Sequence, residues 1–315
     1  MSMNEKKRQV IAIGDWHGRT TSVLRILKHI QDNYPAGTRL GHCGDFGFWD
    51  TDIFTDELKD KINNSPHENV DIYPAELQGY LSTVNSVLED TDMTIYVVLG
   101  NHEDYWELDQ TFNYQGIMIN EKSERHKTPL GDFDNDYRLY MTGDERDNDM
   151  ILDEHGFIMS EYYPRIRIAP RAHVWEWDNV TYGALGGANS IDIGFRQRGY
   201  SWWEQEQPLE HHANRLIDLA NGKLDVLFTH DAPLQISKRL YGHGNHLPSK
   251  IREWAEKSGH VVEKAMMGTS PALLFCGHHH LRLTQNAKMV RTIVHILDRE
   301  TAPAEDNIKE VILNR

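Results

Sequence analysis

The chain predicts an α/β fold, on two observations. Short apolar runs, β-branched or aromatic in flavour, recur at Val10–Ile13, Ile95–Leu99, Val226–Phe228 and Ala272–Phe275, and each stops at a glycine or a polar motif. Between several of them lie segments whose apolar residues repeat at helical spacing. Continuous apolar runs suit strands buried on both faces, and an α/β sheet places its chemistry beyond the carboxyl ends of its strands.

The elements follow in order. Val10–Ile13 opens the sheet. Thr20–Gln31 carries Val23, Ile26, Leu27 and Ile30 on one helix face. Arg39–Cys43 is a weaker strand. Pro74–Leu88 presents Leu77, Tyr80, Leu81, Val84, Val87 and Leu88 at helical spacing. Val174–Trp177 and Val180–Leu185 flank Asp178-Asn179, a two-residue turn signal, which predicts a hairpin. Glu210–Ala220 is a further helix, with Leu216, Ile217 and Leu219. Val290–Leu297 and Ile308–Leu313 read as closing strands. Two polar stretches, Thr51–Asp71 and Asn120–Asp153, read as surface insertions. The second is acidic, but it lacks the ligand spacing and closing Glu of a calcium loop.

The 315 residues suffice for one large or two ordinary domains. No apolar run is long enough to span a bilayer. Met1–Gln9 is charged and runs straight into the first strand, so no secretory signal is expected. The two cysteines, Cys43 and Cys276, each end an apolar run; they read as reduced, buried residues of a cytoplasmic protein. The net charge of −15 repels nucleic acid and anionic membranes, and no basic stripe with interleaved aromatics offsets it.

Five motifs follow the apolar runs: Asp15-Trp16-His17, Gly44-Asp45, Gly100-Asn101-His102-Glu103, Thr229-His230-Asp231 and Gly277-His278-His279-His280. Carboxylates, imidazoles and one amide together suit two adjacent divalent metals, and such centres hydrolyse, most often at phosphorus. In extended backbone, residues i and i+2 point the same way, so Asp15 and His17 are expected to grip one ion. The same alternation pairs His278 with His280 and turns His279 away. Asp45 has two oxygens and is able to bridge two metals. Asn101 offers a neutral carbonyl oxygen. His102, next in sequence, is expected to act on substrate, where an imidazole protonates a leaving oxygen. His230 alone reads equally well as a core histidine.

Together, and in this order, the five blocks resemble the calcineurin-like metallophosphoesterase superfamily, whose pattern is Asp-x-His, Gly-Asp, Gly-Asn-His-(Asp/Glu), His and Gly-His-x-His. Ala184–Glu204, with Gly186-Gly187-Ala188 and Ser201-Trp202-Trp203, is similar to its bacterial and phage members. The resemblance implies a four-layer α/β/β/α sandwich, one domain over residues 1–315 with the two insertions. It implies that Asp15, His17 and His280 hold one metal, that Asn101, His230 and His278 hold the second, and that Asp45 bridges them. The implied ions are Mn2+ or Fe2+, with Zn2+ an alternative. Hydroxide held by the metals would attack phosphorus in line, and His102 would orient the ester or protonate the leaving oxygen.

The chain departs from the superfamily's protein Ser/Thr phosphatases. They carry Gly-Asp-x-x-Asp-Arg-Gly, where this chain has Gly44-Asp45-Phe46-Gly47-Phe48-Trp49-Asp50. Phe48 stands for the Asp that orients the histidine, and Trp49 for a phosphate-binding Arg. Asp50 or Asp104 would then have to orient His102. Arg196 and Arg198 are candidate phosphate clamps, or surface arginines. Trp202 and Trp203 would stack on a nucleobase or, more often for paired aromatics, fill a core. His243 and His246 would line the cleft or lie in solvent. The leading expectation is a phosphoesterase acting on a small phosphorylated substrate. The alternatives are a nuclease or cyclic-nucleotide phosphodiesterase, and a non-catalytic metal-binding scaffold.

Overall fold

Alternation along the predicted strands decides the layers. The computed structural model describes residues 8–48, 77–105, 108, 127–128, 131–132, 151–196, 201–242 and 247–313. Its elements begin with β1 (Val10–Ile13), α1 (Thr20–Asn33), β2 (Arg39–His42), α2 (Leu77–Asp90) and β3 (Thr94–Val97). A small ribbon of β4 (Lys127–Thr128) and β5 (Gly131–Asp132) precedes β6 (Ile151–Leu152), β7 (Ile158–Met159) and β8 (Ile166–Ile168). There follow β9 (Ala172–Trp177), β10 (Val180–Leu185), α3 (Glu210–Leu219), β11 (Val226–Thr229), α4 (Leu234–Gly242) and α5 (Ser249–Thr269). The chain closes with β12 (Leu273–Cys276), β13 (Leu283–Asn286), β14 (Ile293–Ile296), α6 (Ala304–Asn307) and β15 (Ile308–Glu310).

One sheet runs in the order β15-β1-β2-β3-β8-β7-β6, the other β13-β14-β12-β11-β10-β9. The middle of each is parallel: β1, β2, β3 and β8 in the first, β10, β11, β12 and β14 in the second. Val10 and Ala12 of β1 pack with Val226 and Phe228 of β11 and Leu273 and Phe275 of β12, so one face of each sheet meets the other. Ile11 and Ile13 turn outward to Val23, Ile26 and Ile30 of α1 and Tyr80 and Val84 of α2. Leu227, Leu274 and Ile296 turn outward to Leu216 of α3 and Val262 and Met266 of α5. The result is the expected α/β/β/α sandwich.

Between the sheets runs an aromatic ladder. Trp175 stacks on Tyr182 at 5.6 Å between centroids, Tyr182 lies 6.3 Å from Phe228, and Phe228 lies 5.6 Å from Phe275. Burying each such ring contributes about 2–3 kcal/mol. Gly41 of β2 makes room for the ladder, because a Cβ there would lie 2.7 Å from the Phe228 ring.

The predicted hairpin forms β9 and β10, with Val180 opposite Trp177. Asp178 and Asn179 both take positive φ, 52° and 62°, as a type I′ turn requires. The helix expected from Pro74 is described from Leu77. Helices α4, α5 and α6 and strands β4 to β8 and β13 are additions to the sequence reading. Helix α5 had a legible signal in Trp254, Ala255, Val261, Val262, Ala265 and Met266, all buried. The stretch Thr51–Asp71 and most of Asn120–Asp153 lie outside the described residues. Among the described residues, no helix is long and apolar enough to cross a membrane.

Candidate metal centre

Parallel strands point their carboxyl ends to one edge, and all five motifs leave from such ends: β1, β2 and β3 in one sheet, β11 and β12 in the other. Stacking the sheets brings the motifs together. Two groups of donor atoms form among the described residues. Asp15, His17, Asp45 and His280 make one, and Asp45, His230 and His278 the other; within each group the atoms lie within 4.8 Å of one another. Asp45 belongs to both.

The convergence is not reached by strand alternation, as the sequence suggested. Strands β1 and β12 end before their motifs, at Ile13 and Cys276. His17, Asp45, His278 and His280 instead take left-handed backbone, with φ of 47°, 51°, 65° and 49°. Each such non-glycine residue costs about 1–2 kcal/mol, and this strain gathers where donors must be aimed. Glycines supply the close approaches. A Cβ on Gly277 would lie 1.9 Å from Asp15 Oδ1, one on Gly100 2.1 Å from Asp45 Oδ1, and one on Gly44 2.4 Å from His230 Nδ1. In the three motifs that carry one, the glycine thus seats a donor residue from another motif. His279 does turn away, and its Nε2 lies 3.0 Å from Asp231 Oδ1.

The donor chemistry fits a cation. His230 Nδ1–H donates to the Cys43 carbonyl at 2.8 Å, so the ring, when neutral, offers its lone pair at Nε2. That nitrogen lies 2.9 Å from Asn101 Oδ1 and 3.2 Å from Asp45 Oδ1, so three lone-pair atoms share one small volume. His17 is arranged alike: Nδ1 faces Glu300 Oε2 at 2.9 Å and Nε2 faces Asp45 Oδ2 at 3.4 Å. His280 Nε2 lies 3.3 Å from Asp15 Oδ2. Asp45 Oδ2 and Asn101 Nδ2 are buried and, among the described residues, have no partner in good hydrogen-bond geometry. Burial alone would lower the histidine pKa values, yet hydrogen bonds and charge from Asp45 and Glu300 push His17 up to about 10. Against the same burial, Asp45 and Asp15 push His230 up to about 9. The pocket demands positive charge.

Beside this centre, Asp45 Oδ1 accepts the backbone N–H groups of Asn101 and His102 at 2.9 and 2.7 Å. Glu103, wholly buried, accepts those of Phe46, Gly47, Phe48 and Gly100 and so ties the loop after Asp45 to the loop after β3. Burial, reinforced by the Asp45 charge, raises the Glu103 carboxyl to about 7.

The His102 ring is flanked by Arg196, whose Nη2 lies 2.7 Å from Nδ1, and by Asp192, whose Oδ2 lies 3.5 Å from Nε2. The expectation that Arg196 clamps phosphate meets a buried guanidinium whose donors face protein: the Asn101 carbonyl twice, Glu206, Asp192 and His102. Trp202 and Trp203 are each 2% exposed, which excludes nucleobase stacking on either. Arg198, Asp50, His243 and His246 lie outside the described residues. Sequence reasoning missed Glu300, Asp192 and Glu206. No spacing signal marks Glu300, whereas Asp192 lies within, and Glu206 two residues beyond, the segment that resembled bacterial and phage proteins.

The fold is thus a two-sheet sandwich in which a buried carboxylate is shared between two candidate donor groups at the strand ends. The chain belongs to the calcineurin-like phosphoesterase family, whose model matches residues 8–282. No curated protein matches it in sequence. Among solved structures it is similar to a putative 5'-nucleotidase from Staphylococcus aureus, at 11% identity and TM-score 0.45, covering 97% of this chain and 53% of that one. It is similar to the phosphopantetheinyl hydrolase of Mycobacterium tuberculosis, at 12% identity and TM-score 0.43, covering 98% and 97%. A third is the NAD nucleotidase of Haemophilus influenzae, at 11% identity and TM-score 0.38, covering 98% and 55%.

Proposed function

We propose that this chain is a dinuclear metal-dependent phosphoesterase that hydrolyses a small phosphorylated substrate in the cytoplasm. The observation that carries the reading is Asp45, one carboxylate common to two groups of donors. Asp15, His17 and His280 would hold one ion, Asn101, His230 and His278 the other, with Asp45 between. Mixed nitrogen and oxygen donors favour manganese or iron, with zinc an alternative. When bound, the ions would supply a hydroxide nucleophile at neutral pH and stabilise charge on phosphoryl oxygens.

The chain's own groups do the rest. Glu300 and the Cys43 carbonyl aim His17 and His230 by holding their far ring nitrogens. His102, a quarter exposed, faces outward beside the donors and is placed to donate a hydrogen bond to the leaving oxygen. Buried free thiols at Cys43 and Cys276 support a reducing compartment. The net charge of −15, and Asp192 beside His102, favour a small substrate over a long nucleic acid.

The test is hydrolysis of matched aryl phosphate monoester and diester substrates, after metal stripping and reloading with manganese. Manganese-dependent turnover supports the reading, and the ratio of the two rates separates phosphatase from phosphodiesterase. Two bound ions without turnover on any phosphoester would favour a binding scaffold.

A further inference from the structure

We propose that Arg196 is a positioning residue that holds His102 in the Nε2–H tautomer, with its proton on the Asp192 side of the ring. This rests on the hydrolytic reading above for its purpose, but not for its geometry. Arg196 leaves the short 3-10 turn Ile193–Phe195, with Asp192 preceding that turn. Its side chain is only 5% exposed. All five N–H donors are committed. Nη1 reaches Glu206 Oε2 at 2.7 Å and the Asn101 carbonyl at 3.0 Å. Nη2 reaches the same carbonyl at 3.1 Å and His102 Nδ1 at 2.7 Å. Nε faces Asp192 Oδ2 at 3.3 Å.

A guanidinium has donors only and stays charged. His102 Nδ1 must therefore be the acceptor, and the one ring proton of the neutral imidazole sits on Nε2. That nitrogen points to Asp192 Oδ2, 3.5 Å away and on a side chain 36% exposed. His102 then presents Nε2–H as a hydrogen-bond donor for a phosphoester oxygen.

The surrounding sequence explains itself on this view. Glu206 Oε1 accepts the Trp203 N–H at 3.0 Å, and its other oxygen holds Arg196. Trp203 joins the core beside α1 and α2, while Trp202 packs on Ile193 and Trp254. The two tryptophans anchor both ends of the clamp. Phe48, where related phosphatases use an orienting carboxylate, packs against Phe46 at 4.8 Å and leaves that task to Arg196.

The test is a nitrogen-15 NMR correlation spectrum of zinc-loaded protein labelled at histidine, with His102→Gln to assign the ring. The expected pattern is a protonated Nε2 and a bare, hydrogen-bonded Nδ1. A protonated Nδ1 overturns the proposal whatever the activity. Arg196→Met combined with Glu206→Gln, which avoids stranding a buried carboxylate, should lower kcat by about 100-fold with KM and metal content little changed. Arg196→Lys should recover part of the loss. Wild-type kcat in the double variant would also overturn the proposal. The expected tautomer in a wild-type protein without turnover would remove the hydrolytic reading and leave the positioning in place.

Discussion

Glu300 Oε2 lies 2.9 Å from His17 Nδ1 although 283 positions separate them in the chain. Glu300 is 1% exposed, and its other oxygen lies 3.2 Å from Arg19 Nε. The carboxylate fixes the ring of His17 so that Nε2 turns to Asp45. Partners of this kind raise the basicity of a ligating imidazole and hold its orientation. Glu300→Gln keeps the shape and an acceptor but removes the charge. It should weaken binding of one manganese per chain by about 10- to 100-fold, with the melting temperature little changed. Calorimetric titration of both proteins checks this, and equal affinities would refute the role.

Asp45→Asn should reduce turnover by several orders of magnitude, because an amide supplies one oxygen where the site uses two. The fold should survive. The backbone N–H groups of Asn101 and His102 both point at Oδ1, which the amide oxygen can replace. Circular dichroism and metal analysis beside the rate measurement decide it. Wild-type turnover in this variant would sink the metal assignment.

His102→Ala should retain both ions and lose about 100- to 10,000-fold in kcat. The loss should be smallest for aryl esters with good leaving groups, whose departing oxygen carries less charge. A series of substituted phenyl esters reads this directly. A loss equal across the series would place the His102 hydrogen bond on a non-leaving oxygen.

Gly277→Ala puts a Cβ 1.9 Å from Asp15 Oδ1. Neither atom has room to yield, since Asp15 is fully buried and accepts the His278 N–H. The expected result is a destabilisation of about 1–3 kcal/mol and loss of the ion at the Asp15 group. Urea unfolding and metal analysis test both. An unchanged metal content would falsify the seating role of this glycine.

Acid should cost stability through neutral histidines held partly or wholly out of water. Burial lowers His173 to about 4, and burial aided by the Lys309 and Arg282 charges lowers His295 to about 4. In the unfolded chain both take protons near the ordinary histidine value of about 6.5. Between about pH 6.5 and 4 the unfolded state binds more protons, so stability is present above that window and is lost as pH falls through it. His173 stacks on Trp175 and His295 on Phe275, so phenylalanine keeps the stacking at both places, at the cost of the Thr284 hydrogen bond to His295 Nδ1. The double variant His173→Phe/His295→Phe should show a shallower fall of the urea midpoint from pH 7 to 5 than wild type. Parallel curves would show that these rings do not carry the effect.

Most of the architecture was legible because its signals are local. The run Val10–Ile13, the face Val23-Ile26-Leu27-Ile30 and the turn Asp178-Asn179 each carry their periodicity within a few residues, and each became the expected element. The donors were legible as types at strand ends. The reason they meet was not: strand alternation was expected, and left-handed turns at His17, Asp45, His278 and His280 did the aiming. Backbone sign at such positions depends on what the neighbouring loop allows. Gly44, Gly100 and Gly277 have their meaning only once a donor from another motif lies against them.

By itself, then, the sequence determined the α/β class, the strand ends that carry chemistry and the set of candidate donors, since composition and short-range spacing are sufficient for those. Only the tertiary structure decided the partners of those donors. Glu300 reaches His17 across almost the whole chain, and the Arg196 guanidinium, a phosphate candidate in the sequence, lies against His102 Nδ1. Such pairings arise where two sheets and their loops stack, so no local pattern records them. Burial then gives them their force, because a charge or lone pair removed from water must find its partner in the fold.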